Sequence, residues 1–174
     1  MNQTDDTLTP YYRLDPEELI RVVESIGLLC DGRMLALNSY ENRVYQVGIE
    51  DAEPLITKVY RPGRWTNEQI LEEHAFALEI ADAEIPLVPP MVINGQSLHE
   101  YDGFRFAMFE RRGGHAPELD MKDTRVWLGR FLGRMHAVGA EQPFLSRPEL
   151  TVTSFGHEPV SDLLEGHWLP PHLE

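Results

Sequence analysis

Residues 37–73 read LNSYENRVYQVGIEDAEPLITKVYRPGRWTNEQILEE, and the interpretation of the chain begins with them. A polar turn at 38–43 leads into a mostly apolar run at 43–48, and a second such run at 54–60 follows a polar loop. This pattern predicts two strands joined as a hairpin. Thr66 and Gln69 then have the spacing of a capping box, which predicts that an amphipathic helix begins there and runs to about residue 81.

Lys58 is a charged residue in an otherwise apolar strand, and taken alone it could extend its amine to water from a sheet edge. However, the next helix can cross the sheet and bring an acid to it. Glu73 is favoured, because it lies three and seven positions before Phe76 and Ile80, which should face the core, whereas Glu72 is predicted to be solvated. Kinase-type folds hold ATP phosphates with this pairing of a strand lysine and a helix glutamate.

The turn at 38–43 stands where a typical protein kinase would have a glycine-rich loop, and it contains no glycine. Side chains and backbone N–H groups can still bind phosphate oxygens in such a turn. Ser39 and Asn42 are the candidates for that contact. An ordinary polar hairpin turn would look the same if it were considered alone.

A further candidate contact lies at the end of the run 104–110. A strand that leaves a sheet beside a cleft can offer backbone N–H and C=O groups to a planar base such as adenine. We expect Phe109 and Arg111 to provide those groups, with Met108 packed behind them. The alternative is an apolar strand end with no ligand.

The rest of the chain supplies fewer signals. Residues 1–13 are expected to be a frayed leader, and a helix with Asp15 as its N-cap should follow, up to about residue 27. Strands are predicted at 33–37, 91–93, 97–101 and 104–110, with tight turns at 94–95 and 102–103. A long helix should run from 120 or 123 to about 138, whereas no period persists over 139–174.

Composition excludes several classes of protein. The chain has 174 residues, 29 acidic and 15 basic side chains and a formal net charge of -14. Phosphate backbones and anionic membranes attract cationic surfaces, so neither nucleic acid nor a membrane is an expected partner. Cys30 is the single cysteine and is expected to be a small core residue, which fits a reducing compartment. No signal peptide or membrane-spanning run is visible, so a cytoplasmic location is predicted.

Metal ligation is not predicted from the histidines. They show no ligand spacing, such as a pair four residues apart on one helix. We therefore expect no zinc site. Their positions are 74, 99, 115, 136, 157, 167 and 172.

Three segments together resemble the stress response kinase A family, bacterial serine/threonine protein kinases with the aminoglycoside-phosphotransferase (choline-kinase-like) fold. These segments are 37–45, 58–65 and 70–74, and the helix sequence at 128–136 resembles the first long helix of that family's C-terminal lobe. The resemblance implies an α+β fold: a protein-kinase-like N-terminal lobe with a twisted, mainly antiparallel sheet and one packed helix at 1–112, then an incomplete helical lobe at 113–174. It also implies that Lys58 and Glu73 form the nucleotide-binding ion pair, with Ser39 in the nucleotide loop and 108–111 as the hinge.

The resemblance further implies ATP-dependent phosphoryl transfer to protein hydroxyls in a stress response, with ATP and Mg²⁺ as cofactors and a monomeric intact enzyme. The family's catalytic loop begins with His-Gly-Asp and is followed by an Asn and a metal-binding Asp, and nothing here supplies these. Asp162 lacks the accompanying Asn. We expect this chain to lack catalytic and metal-binding residues and to be inactive alone. The alternatives are a small-molecule kinase for aminoglycoside, choline or homoserine, and a non-catalytic nucleotide-binding module.

Overall fold

The computed structural model describes residues 11–166. The predicted segments at 1–10 and 167–174, including His167 and His172, lie outside the described residues. The elements follow in the order α1 (Pro16–Glu24), β1 (Cys30–Leu37), β2 (Arg43–Ile49), β3 (Leu55–Val59), α2 (Asn67–Asp82), β4 (His99–Tyr101), β5 (Phe104–Glu110), α3 (Lys122–Gly139), a π-helical segment (Thr153–His157) and α4 (Glu158–Glu165).

The strands form one antiparallel sheet of five strands in the order β1-β2-β3-β5-β4. The predicted α+β architecture with a mainly antiparallel sheet is therefore confirmed. β3 is the central strand, and it pairs Lys58 with Val44 of β2 on one side and with Ala107 of β5 on the other. Lys58 thus lies in the middle of the sheet and not at an edge.

Side chains alternate between the two faces of the sheet along each strand. A helix packs on each of these faces. Leu19 and Val23 of α1 pack with Val59, Phe106 and other residues on one face. On the opposite face, Ile70 of α2 packs with Tyr60 and Ala107. Lys58 is one position from Val59 and two positions from Tyr60, and it therefore lies on the α2 face.

The starts of α1 and α2 follow the predicted capping chemistry. The Asp15 side chain accepts a hydrogen bond from the backbone N–H of Glu18 at 2.7 Å. The Thr66 hydroxyl accepts from the N–H of Gln69, and the Gln69 side chain accepts from the N–H of Thr66, which completes the capping box. These caps set where each helix begins and hence which side chains face the sheet.

Two predictions of local structure were wrong. Residues 91–93 form no strand, and Ile93 makes only an isolated bridge to Gln96, because the prolines before them lack the N–H groups that a ladder needs. Residues 11–13 are anchored, since the Tyr11 hydroxyl donates to the carbonyl of Glu41 at 3.0 Å. Within 139–174, which was expected to belong to an incomplete helical lobe, α4 begins with a proline in its first turn.

Within the described residues, the first compact unit ends at Phe144 and the second begins at Leu145. The predicted lobe boundary after residue 112 remains a prediction. In the second unit, Ser154 and Thr151 exchange side-chain and backbone hydrogen bonds of 3.0 Å, and these close the turn that starts the π-helical segment. Among the described residues, no helix combines the length and the apolar character needed to cross a membrane.

Candidate active site

Lys58 and Glu73 form an ion pair between the central strand and the helix on its face. Lys58 Nζ lies 3.0 Å from Glu73 Oε1, and the two side chains are 21% and 39% exposed. The amine also lies 4.6 Å from the centre of the Tyr60 ring. The predicted pairing, and the preference for Glu73 over Glu72, are confirmed. Glu72 is half-buried and therefore partly solvated.

The phase of α2 explains the choice of Glu73. Ile70, His74 and Ile80 are the buried residues of α2, and Glu73 lies beside this buried line, where its carboxylate meets the sheet. Lys58 faces the same side because its neighbours in register, Val44 and Ala107, place it on the α2 face. A cation held by one carboxylate and one aromatic ring is oriented and still partly open to solvent, which suits it to bind an anion.

The turn at 38–43 is anchored by Glu41, a residue that the sequence interpretation did not single out. Its carboxylate accepts from Trp65 Nε1 at 2.7 Å and from Arg64 Nε at 2.9 Å. Burial acts to raise the pKa of Glu41, but the hydrogen bonds from Trp65 and Arg64 outweigh it, so the pKa lies below its usual value. An acid in a turn, followed by Arg64 and Trp65 next to the helix start, was the available signal.

The two predicted turn residues have different environments. Asn42 Oδ1 accepts a hydrogen bond from the backbone N–H of Arg61 at 3.2 Å, so this side chain also joins the turn to the segment between β3 and α2. Ser39 is half-buried. Both residues therefore belong to the one turn that Glu41 fixes beside the start of α2.

The predicted contacts at the end of β5 divide between the two faces of the sheet. Phe109 pairs in register with Ile56 and packs beside the cluster of Tyr60, Ile70 and Ala107, so it lies on the same face as Lys58.

Met108 is fully buried on the α1 face, where its Sδ accepts from the Thr57 hydroxyl at 3.3 Å. It lies behind the strand, as expected. Arg111 is exposed just after β5, and its side chain is not brought to the ion pair.

A buried hydrogen-bonded chain lies next to the ion pair. The Tyr60 hydroxyl is 2.6 Å from His74 Nε2, and His74 Nδ1 is 2.9 Å from the Ser97 hydroxyl. Both Tyr60 and His74 are 2% exposed. Burial lowers the pKa of His74 to about 4, the charge of Glu73 acts in the opposite direction, and Lys58 adds to the lowering. His74 is therefore neutral at physiological pH.

Two cavities among the described residues are lined by residues other than Lys58. One, of about 720 Å³, is bordered by Asp31, Glu50 and Glu53 near the hairpin loops. The other, of about 400 Å³, lies between the start of α2 and β4 and is bordered by Leu71, Glu100 and other residues. Among residues 11–166, no group of three or more His, Cys, Asp or Glu side chains converges to hold a metal ion.

Comparison with known proteins gives the family. Residues 34–163 match the phosphotransferase enzyme family. Stress response kinase A of Escherichia coli is 42% identical over 164 residues, which cover 94% of this chain and 50% of that protein. The serine/threonine protein kinase RdoA of Salmonella typhimurium is 39% identical over 155 residues, 89% of this chain and 47% of that protein. The chain thus spans about half the length of these relatives.

Solved structures share the fold at lower sequence identity. The amicoumacin kinase hAmiN, in complex with AMP-PNP, Ca²⁺ and Ami, superposes with a TM-score of 0.66 at 17% identity, covering 96% of this chain and 57% of that one. A fructosamine-3-kinase homologue from Thermobifida fusca superposes with a TM-score of 0.51 at 16% identity, covering 91% and 57%. These structures confirm the predicted kinase-like fold. The coverage of about half of the curated relatives fits the expectation of an N-terminal part.

Proposed function

Since the chain belongs to the phosphotransferase enzyme family, we propose that its sheet binds ATP and that the intact protein transfers the terminal phosphoryl group to a serine or threonine hydroxyl. The Lys58–Glu73 ion pair carries this proposal. Catalysis in such enzymes depends on positioning and on electrostatic stabilisation, and a lysine held by a carboxylate can grip the α- and β-phosphates.

The α2 face of the sheet also offers a place for the base of the nucleotide, next to the proposed phosphate contact. Val44 pairs with Lys58 in register and Phe109 pairs with Ile56, so half-buried apolar side chains adjoin the cation, whereas Ala107 is buried against α2. A planar base can pack on such a surface while the backbone of Phe109 and Arg111 offers hydrogen bonds at its edge. The anchored turn then brings Ser39 and Asn42 towards the phosphates.

Chemical transfer requires groups that the described residues do not offer. ATP in this family of reactions is used with Mg²⁺, which prefers carboxylate oxygens. No cluster of three acids or histidines lies among residues 11–166, and Asp162 lies in α4 without a partner set of ligands. We therefore assign no step to Mg²⁺ among the described residues. By itself the chain is expected to bind ATP without turnover.

A protein hydroxyl is the acceptor that we propose, in a stress response, because the relatives at 42% and 39% identity are named stress response kinase A and a serine/threonine protein kinase. We also propose that the intact enzyme is a cytoplasmic monomer. A small-molecule acceptor is the second candidate, because the fold neighbours are kinases named for amicoumacin and fructosamine. Assays of the full-length protein with casein-like substrates against aminoglycosides, choline and homoserine distinguish the two.

Isothermal titration of ATP into the chain tests the nucleotide site directly. Lys58→Ala should weaken binding on the order of ten-fold or more, because it removes the cation from the phosphates. Lys122→Ala is the matched control, since Lys122 is exposed at the start of α3 and should leave the affinity unchanged. Equal affinity of the wild type and Lys58→Ala would rule out this site.

A further inference from the structure

His74 lies in the same helix as Glu73 and bonds the tyrosine next to Lys58, so it is linked to both members of the ion pair. It follows Glu73 directly in α2, and its Nε2 lies 2.6 Å from the hydroxyl of Tyr60, whose ring lies under the amine of Lys58. Its Nδ1 lies 2.9 Å from the hydroxyl of Ser97, in the segment before β4. One buried imidazole therefore joins the helix, the end of β3 and the entrance to β4.

Three residues of α2 are buried, and His74 is the one nearest to Glu73. Ile70 and Ile80 are its other buried residues, and they lie four positions before and six positions after His74. Outer side-chain atoms lie roughly 6 Å from a helix axis, so a rotation of about 20° moves them by about 2 Å. Such a rotation would separate Glu73 Oε1 from Lys58 Nζ, which are 3.0 Å apart.

The neutral imidazole suits this role. A neutral ring has one donor nitrogen and one acceptor nitrogen, and each nitrogen lies at hydrogen-bond distance from a hydroxyl, which can act in either sense. Both contacts are directional, so they constrain the rotation of α2 in a way that an apolar side chain of the same size cannot.

We propose that His74 is the positioning residue of the site: by bonding Tyr60 and Ser97 it fixes the rotation of α2 and the ring of Tyr60, and thereby holds Glu73 against Lys58. The effect of His74 on nucleotide affinity rests on the proposed function. Its effect on the ion pair does not depend on that function, and the two effects are tested separately.

The ion pair is tested without nucleotide. Lys58 and Lys122 are the lysines of this sequence, so the ratio of their acetylation rates, read by mass spectrometry, reports on Lys58 with an exposed internal reference. His74→Phe keeps the size of the side chain and removes its hydrogen bonds. We expect it to raise the Lys58/Lys122 ratio several-fold, as far as Glu73→Gln does, and we expect the double variant to raise it no further.

Control variants separate positioning from loss of packing. His99→Phe replaces another buried histidine, one that stacks on Phe106 on the α1 face, and it should leave the ratio unchanged. His74→Gln, which can still bond Tyr60, should restore most of the protection. His74→Leu, which also removes both hydrogen bonds, serves as the test if His74→Phe does not fold. The proposal is overturned if the variant that removes the hydrogen bonds leaves the ratio at its wild-type value, or if His99→Phe raises it equally.

Nucleotide titration gives the second readout. We expect His74→Phe to raise the Kd for ATP by the same factor as Glu73→Gln, and the double variant to bind no more weakly than either single variant, because both act through one contact. Independent, multiplying losses would contradict positioning through Glu73. If the wild-type chain binds no ATP, the proposed function fails, while the acetylation ratio still tests the role of His74.

Discussion

Acidification should destabilise this protein through His74, and the size of the effect follows from its burial. Burial lowers its pKa from 6.5 to about 4, with the charge of Glu73 opposing and the charges of Lys58 and His99 assisting. Between these two pKa values, His74 is protonated in the unfolded chain and neutral in the folded chain. The stability associated with the neutral ring is therefore complete above pH 6.5 and falls as the pH drops towards 4. A shift of this size corresponds to a loss of roughly 3 kcal/mol.

Urea unfolding followed by tryptophan fluorescence, repeated from pH 7.5 to pH 4, measures this loss. Carboxylates with lowered pKa values, such as Glu41, and the second buried histidine, His99, also change stability with pH. His74→Gln retains those groups and removes the titration of residue 74, so the difference between the two stability curves isolates it. We expect the wild type to lose roughly 3 kcal/mol more than His74→Gln over this range. If the stability of the wild type and of His74→Gln falls equally with pH, the ring of His74 is hydrated in the folded protein, and the buried hydrogen-bonded chain is refuted.

Thr66→Ala should lower the free energy of unfolding by about 1 kcal/mol because it removes the N-cap of α2; a loss below the error of a denaturant titration would argue that the cap is redundant. Glu41→Ala should speed hydrogen exchange of the backbone amides at 38–43, because the turn loses its bonds to Trp65 and Arg64; unchanged exchange would mean that the turn is rigid without them. Burial raises the pKa of Cys30 to about 11, so its thiol should react slowly with a disulfide reagent at pH 8 and quickly once the chain unfolds. Equal rates before and after unfolding would contradict that burial.

Local chemistry made the ion pair predictable from the sequence. The capping box at Thr66 fixes where α2 begins, and the 3.6-residue period then fixes which of two adjacent glutamates meets the sheet. Alternation along β3 places Lys58 on the face that α2 covers. Each step concerns residues close in sequence, so Lys58 and Glu73, 15 positions apart, could be paired before the fold was known.

The supporting contacts depend on partners that are distant in sequence. Glu41 meets Trp65 across 24 positions, and His74 meets Ser97 across 23. No periodicity distinguishes a buried, hydrogen-bonded histidine from an exposed one, since only the packing of α2 on the sheet determines its environment. The short helix α4 has eight residues and no buried residue of its own, so its apolar positions, Val160, Leu163 and Leu164, were too few to predict it.

The helix α1 gives the sheet a core that is independent of the side on which Lys58 lies. The buried residues of this core, from Leu19 to Met108, and the partly buried residues around them all precede the end of β5. During synthesis, every one of them is translated before α3. We therefore expect the sheet to acquire its native packing co-translationally, as an early folding unit on which later residues assemble.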